Sequence, residues 1–244
     1  SQEIESAAFG SNVYAVWENS TTGTANAPRY IELATSHDNG TTFTYQPLGK
    51  GISREPELSV SPFGFLFVLW RIQNVLGTPT TSTMMIAKST NNGTTFGQFQ
   101  NVSGYGIARE GKIIAVGSNV YVSWRFPAGV TNDFEVFTAT SKDNGTTYSS
   151  PLNISGTTGI FDLSSEQNDP EIISNGPVLE VSWNSNLNGV NDLFIARSTN
   201  FGMNFTNYLV DSGTSINGQL VASWQDDFYY LWNLNNSVRF CMSG

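Results

Sequence analysis

Five short stretches of the chain, residues 13–17, 66–70, 120–124, 179–183 and 228–232, are rich in Val, Leu, Phe and Tyr, and each closes on Trp. Runs of this length with β-branched and aromatic residues predict strands. They return every 49 to 59 residues, so the chain is read as a set of repeats. One period resolves into four strands. In the second copy these are residues 55–61, 65–71, about 81–89 and about 96–102, with Pro62, Phe63 and Gly64 turning the first into the second. No segment offers a helical period of 3.6. Four strands in about 50 residues, repeated at nearly equal intervals, predict an all-β fold, a β-propeller of five antiparallel blades. A sandwich is the alternative, but it would not need such equal periods. The expected blades are 1–50, 51–104, 105–156, 157–213 and 214–244, the last without its outermost strand.

A second pattern follows each of the first four Trp motifs. It reads Ser36, Asp38, Gly40 and Phe43, then Ser89, Asn91, Gly93 and Phe96. The third copy is Ser141, Asp143, Gly145 and Tyr148, and the fourth Ser198, Asn200, Gly202 and Phe205. Its physics suits a hairpin between the third and fourth strands of a blade. The Asp or Asn side chain accepts turn amides, Gly supplies positive φ, and the aromatic fills the gap between blades. Ser243 and Gly244 take the first two positions of a fifth copy. Two residues before each Ser stand Ala34, Ala87, Ala139, Ala196 and Cys241, so Cys241 is read as a small buried filler.

The second pattern resembles the Asp box, or bacterial neuraminidase repeat, of sialidase-like β-propellers, with Phe or Tyr in place of the usual Trp. The first strands, Ser53-Arg54-Glu55-Pro56-Glu57 and Asn168-Asp169-Pro170-Glu171, are similar to those of secreted archaeal and bacterial proteins described as sialidase-like. The resemblance covers all five periods. It implies a propeller in which the box is a structural clip away from any active site.

Composition narrows the setting. The 244 residues hold 20 Asp and Glu against 11 Lys and Arg, a net charge of −9, with one His and one Cys. That balance argues against nucleic-acid binding by counterion release. One Cys excludes an internal disulfide framework, and one His without a Cys cluster argues against a zinc or copper site. No apolar run approaches the ~18 residues of a helical membrane span. The chain begins without an initiator Met or secretory leader, as a mature or excised product would. An extracellular or cell-surface setting is expected. Eight Asn-x-Ser/Thr sequons fit it: Asn39, Asn92 and Asn144 inside the boxes, and Asn19, Asn101, Asn153, Asn204 and Asn235 outside them.

Polar residues gather at one end of the blades. The innermost strands begin with Glu3, Arg54-Glu55, Arg109-Glu110 and Asn168-Asp169, while the second strands end with Glu18, Arg71, Arg125, Asn184 and Asn233. Glu3, Glu55, Glu110 and Asp169 are therefore expected to converge on a channel mouth, beside irregular loops 19–28, 72–80, 126–133, 156–168 and 185–191. One reading pairs these acids with Arg54, Arg109, Arg71 or Arg125, or with neighbouring amides, as fasteners between blades. The other is a site for a polyol or a cation, for which hard oxygen ligands suit Ca²⁺; no other cofactor is implied.

Three function classes follow. The resemblance implies a sialidase-like glycoside hydrolase, with Arg54 and Arg109 gripping a carboxylate, Arg71 or Arg125 as the third arginine, and Tyr105 as the nearest nucleophile. Five-bladed glycosidases instead use three carboxylates, which Glu55, Glu110 and Asp169 would mimic. A non-catalytic glycan- or protein-binding propeller is the second class. The third is a cell-surface assembly or adhesion protein whose open fifth blade accepts a strand from another molecule. The sequence favours binding or assembly over chemistry, with a partner that is a surface glycan, a protein or the chain itself.

Overall fold

The computed structural model describes residues 4–20, 29–49, 51–74, 81–128, 133–156, 170–187, 190–213, 217–224, 227–234 and 237–243. Their strands form five antiparallel sheets. The first holds β1 (Ile4–Phe9), β2 (Asn12–Ser20), β3 (Arg29–Ser36) and β4 (Thr44–Leu48). The second holds β5 (Ile52–Val60), β6 (Leu66–Asn74), β7 (Thr81–Ser89) and β8 (Gln100–Asn101). The third holds β9 (Arg109–Val116), β10 (Asn119–Ala128), β11 (Asp133–Ser141) and β12 (Leu152–Asn153). The fourth holds β13 (Glu171–Asn175), β14 (Val178–Leu187), β15 (Val190–Ser198) and β16 (Thr206–Gly213). The fifth has three strands, β17 (Asn217–Trp224), β18 (Asp227–Leu234) and β19 (Ser237–Ser243). In every sheet, strands adjacent in sequence are adjacent in space.

Successive sheets, hereafter blades, pack face to face. The first strand of each blade lies against the first strand of the next: β1 on β5, β5 on β9, β9 on β13 and β13 on β17. Among the described residues, β17 and β1 do not pack in this way. Each apolar cluster joins two blades. Tyr14, Val16, Ile31 and Leu33 of the first blade meet Leu66, Val68 and Trp70 of the second. Phe67, Leu69, Met84 and Ile86 then meet Val120, Val122 and Trp124 of the third. The alternation along each second strand explains this: Trp and every second residue before it face the preceding blade, and the residues between face the following one. Trp70, Trp124 and Trp183 are at most 1% exposed. Trp70, Trp124, Trp183 and Trp232 are thus inter-blade core, as the repetition predicts, whereas Trp17 is half-buried against Tyr45 of its own blade.

The hairpins between third and fourth strands share one hydrogen-bond set. Ser36 Oγ accepts from Gly40 N (2.9 Å) and donates to Asp38 Oδ1 (2.7 Å), which accepts from Thr42 N (2.8 Å). Ser89 with Asn91, Ser141 with Asp143 and Ser198 with Asn200 repeat it. The residue before each glycine is left-handed, with φ of 59° at Asn39 and 61° at Phe201. Phe96, Tyr148 and Phe205 then pack against the blade before their own, whereas Phe43 of the first blade is 37% exposed.

Strand ends differ from expectation. The second blade's outer strand is only Gln100–Asn101, not 96–102, because the hairpin continues in irregular backbone through Phe99. Cys241 is only half-buried, unlike Ala34, Ala87, Ala139 and Ala196, which are at most 4% exposed. The reason is local: among the described residues, no hairpin of the fifth blade covers it.

Candidate functional site

The polar positions singled out from sequence meet at a bulge. Arg54 pairs with Arg71 and Glu57 with Leu69, so Trp70 of β6 stands opposite two residues, Glu55 and Pro56. In the third blade Trp124 likewise stands opposite Glu110 and Gly111. The extra residue forces Glu55 and Glu110 into the left-handed region, at φ of 54° and 52°. Such a conformation costs a residue with a Cβ about 1–3 kcal/mol and persists only where its surroundings hold it.

They do. Glu55 N donates to Glu18 Oε1 of the first blade at 2.9 Å, and Glu110 N donates to Glu55 Oε2 of the second at 2.9 Å. The other oxygens meet guanidinium groups. Glu18 Oε2 accepts from Arg29, Glu55 Oε1 accepts from Arg71, both at 2.5 Å, and Glu110 forms a fork with Arg125. The partners are thus Arg71 and Arg125 from the second strands. Arg54 and Arg109 do not take this role: Arg54 is half-buried on β5 and Arg109 is exposed at the start of β9. Glu18 carries the fastener in the first blade, and sequence reasoning did not assign it that role. Glu3 and Asp169 lie outside the described residues, as do most of the loops expected to form a binding face. Tyr105 is 91% exposed.

A second set of charges, missed from sequence, stands two residues further along the first strands. Lys112 Nζ lies 2.6 Å from Glu57 Oε1 and 3.7 Å from Glu171 Oε1. Glu5, Glu57, Lys112 and Glu171 oppose Val16, Leu69, Ser123 and Ser182, one register position in four blades. Burial raises the Glu57 carboxyl to about 7, with Glu5 and Glu171 adding repulsion and Lys112 pulling the other way. The signal was legible: the acids recur with period two from the positions already chosen.

A third feature lies between the fourth and fifth blades. A cavity of about 450 Å³ is lined by Glu180, Ile195, Arg197, Tyr208, Val210, Tyr230 and Cys241. Glu180 is 1% exposed; it accepts from the Tyr230 hydroxyl and pairs with Arg197 at 3.2 Å.

Chemically, the Glu55 and Glu110 carboxylates are committed. Each oxygen has a cationic or backbone N–H partner, which leaves neither as a ready nucleophile or cation ligand. Among the described residues no cluster of three or more His, Cys, Asp or Glu is placed to hold a metal. No helix among them is long and apolar enough to cross a membrane.

No protein-family model matches the chain, and no curated protein sequence matches it. Solved structures do resemble it. The Hadza microbial sialidase Hz136 matches with a TM-score of 0.63 at 13% identity, over 99% of this chain and 55% of that one. A mutant of the NanB sialidase from Streptococcus pneumoniae matches with a TM-score of 0.61 at 9% identity, over 99% and 58%. The α-L-arabinofuranosidase of Fusarium graminearum matches with a TM-score of 0.59 at 9% identity, over 98% and 76%. The chain therefore spans little more than half the length of those sialidases, and the likeness is one of fold: a sialidase-like propeller arrangement of antiparallel blades.

Proposed function

We propose that this chain is a non-catalytic binding or assembly module built on a propeller of five blades, extracellular or at the cell surface, whose partner-binding end is the fifth blade. One observation carries the reading: Glu55 and Glu110, two of the acids that would do chemistry in a hydrolase, are held by Arg71 and Arg125, and Glu55 also by a backbone amide across a blade boundary. Repetition of that arrangement in successive blades is the mark of a fastener, whereas a catalytic site is asymmetric. Support for binding at the fifth blade comes from its outer strand. Among the described residues β19 pairs only with β18, and Val238, Phe240 and Met242 are 72%, 60% and 55% exposed. Such an edge is a surface to which a further strand, of this polypeptide or another, can add. The partner is a protein, a second copy of the chain or a surface glycan, without nucleic acid.

A glycoside hydrolase is the second reading, favoured by Glu57. A carboxyl held near neutrality beside Lys112 is suited to proton transfer.

The two readings separate in one set of measurements. Sialoside and arabinan reporters should show no turnover, while sedimentation velocity should show association that grows with concentration, or a glycan array should show retention. Turnover abolished by Glu57→Gln or Arg54→Ala overturns the binding reading. So does a protein that neither associates nor is retained on the array.

A further inference from the structure

Two open grooves, each of about 660 Å³, lie where the hairpin of one blade meets that of the next. The first joins Lys88, Gln98 and Gln100 of the second blade to Gly145 and Thr146 of the third. The second joins Lys142, Ser150 and Leu152 of the third blade to Gly202 and Met203 of the fourth. The two are counterparts by register. Gln100 pairs with Ile86 and Leu152 with Thr138, each partner lying three residues before its hairpin serine. Gln98 therefore matches Ser150, and Thr146 matches Met203.

An insertion accompanies both grooves. In the first blade Thr44 pairs with Thr35 and Gln46 with Leu33, which leaves one residue, Tyr45, between them. In the fourth, Thr206 pairs with Arg197 and Tyr208 with Ile195, again with one residue between. The second blade differs. Gly97 N donates to Lys88 O and the ladder resumes at Gln100, so two residues, Gln98 and Phe99, stand between. In the third blade Ser149 N donates to Thr140 O and the ladder resumes at Leu152, after Ser150 and Pro151. The added residue bows the outer chain away from the third strand and leaves only two residues in each of β8 and β12. It also puts Gln98 and Ser150 into the grooves. Bulges of this kind re-aim side chains and recur beside functional sites.

The lining narrows the ligand. Hydroxyls and amides dominate, with Thr90, Thr95 and Gln98 in the first groove and Thr138, Ser149 and Ser150 in the second. A half-buried ring, Phe96 or Tyr148, is set among them. Each groove also holds one lysine. Among the described residues the ion pairs use Arg29, Arg71, Lys112, Arg125, Arg197 and Arg239, and neither groove lysine takes part. Lys88 Nζ lies 4.7 Å from the centre of the Phe65 ring and Lys142 Nζ 5.9 Å from that of Phe201. Asp143 is near enough to act on Lys88, but its carboxylate is already held by Ser141 and Thr147. Strand addition does not fit, because Lys88 O and Thr140 O already accept from the chain's own outer segment.

We propose that the two grooves are binding sites for an acidic oligosaccharide, its hydroxyls met by the Thr, Ser and Gln side chains and its carboxylates by Lys88 and Lys142. Their size suits a short run of sugars, within the roughly 300–1,000 Å³ of small-molecule sites. The third blade's hairpin lines both grooves, through Gly145 and Thr146 in the first and Thr147 and Tyr148 in the second. A longer chain therefore spans the two and gains by avidity. This site goes beyond the fifth-blade reading and owes nothing to it.

The test uses the whole protein, isotope-labelled for NMR, with tetragalacturonate and hyaluronan tetrasaccharide as acidic probes and maltotetraose as the neutral control. At least one acidic probe should shift the amides of Gln98 and Thr146 in the first groove, and those of Ser150 and Met203 in the second, saturably. Maltotetraose should bind at least about tenfold more weakly, since it lacks the charge-assisted contacts. Lys88→Gln should weaken binding at the first groove about tenfold and spare the second, and Lys142→Gln should do the reverse. Deleting Gln98 should restore the first blade's register and close the first groove alone. Binding of neither acidic probe overturns the proposal. So do shifts that persist in the double lysine variant, equal binding of maltotetraose, or a folded Gln98 deletion that still binds at the first groove. Association through the edge of β19 is untouched by these variants, so the two readings fail separately.

Discussion

Glu55 Oε2 accepts a hydrogen bond from the backbone N–H of Glu110 at 2.9 Å, across the boundary between the second and third blades. Glu55 is itself held through its own N–H by Glu18 of the first blade. Each left-handed glutamate thus gives an amide to the blade behind and a carboxylate toward the blade ahead or its own arginine. Hydrogen bonds to charged acceptors are worth about 1.5–3 kcal/mol each, enough to offset the left-handed backbone.

Removing the Glu55 carboxylate should therefore destabilise two blades at once. Glu55→Ala leaves the Glu110 N–H and the part-buried Arg71 guanidinium without this acceptor. We expect a loss of about 2–4 kcal/mol in urea unfolding. At the next bulge, Glu110→Gly should cost about 1 kcal/mol less than Glu110→Ala, because Gly adopts φ near 52° freely.

Gly145 and Gly10 are both left-handed, at φ of 72° and 58–59° respectively for Gly145 and for Gly10 with its counterpart Gly117. Their surroundings differ. A Cβ on Gly145 would stand 2.4 Å from Cε1 of the buried Phe67, whereas nothing lies within 4 Å at Gly10. Gly10→Ala should cost about 1 kcal/mol of backbone strain, and Gly145→Ala about 2–4 kcal/mol. Paired thermal or urea unfolding checks the difference.

Stability should fall on either side of about pH 4. Hydrogen bonds from Thr42 and Ser36 lower the Asp38 carboxyl from 3.8 to about 2, and those from Thr147 and Ser141 lower Asp143 as well. Carboxyls depressed by folding stabilise the protein above about pH 4 and lose that effect as pH falls toward 2. Glu57 shifts upward, from 4.5 to about 7. The unfolded chain then releases its proton first, so stability declines as pH rises from 4.5 to 7 and is level above that. Replacing Asp38 and Asp143 with Asn should flatten the acid limb, and Glu57→Gln the neutral one, in unfolding measured across that range.

The hairpin sequons should differ in use. Asn39 and Asn92 are exposed at their turns, whereas Asn144 is half-buried, with its amide oxygen enclosed. In a glycosylating host, site-resolved mass spectrometry should find glycan at Asn39 and Asn92 and little at Asn144.

Repeats made most of the fold legible. The Trp register set the strand faces, and Ser, Asx and Gly set the hairpins, because both depend on local periods and turn chemistry. The candidate site was legible only in part. Glutamate at positive φ is rare, so nothing in the spelling of Arg54-Glu55 announced a bulge, and the bulge decides that Arg71 and Arg125 are the partners. The cavity lined by Glu180, Arg197 and Tyr208 was hidden for another reason. Each residue departs from the type at its repeat position.

The amide-to-carboxylate joint also bears on how such a chain grows. A period that brings its own bulge glutamate brings the donor for the blade before it and the acceptor for the blade after it. Duplicating the stretch of gene that encodes one period would insert a blade with both joints already matched, and deleting one would let its neighbours meet through the same two atoms. Blade number is then free to drift by whole units, while substitutions within a joint are held in check.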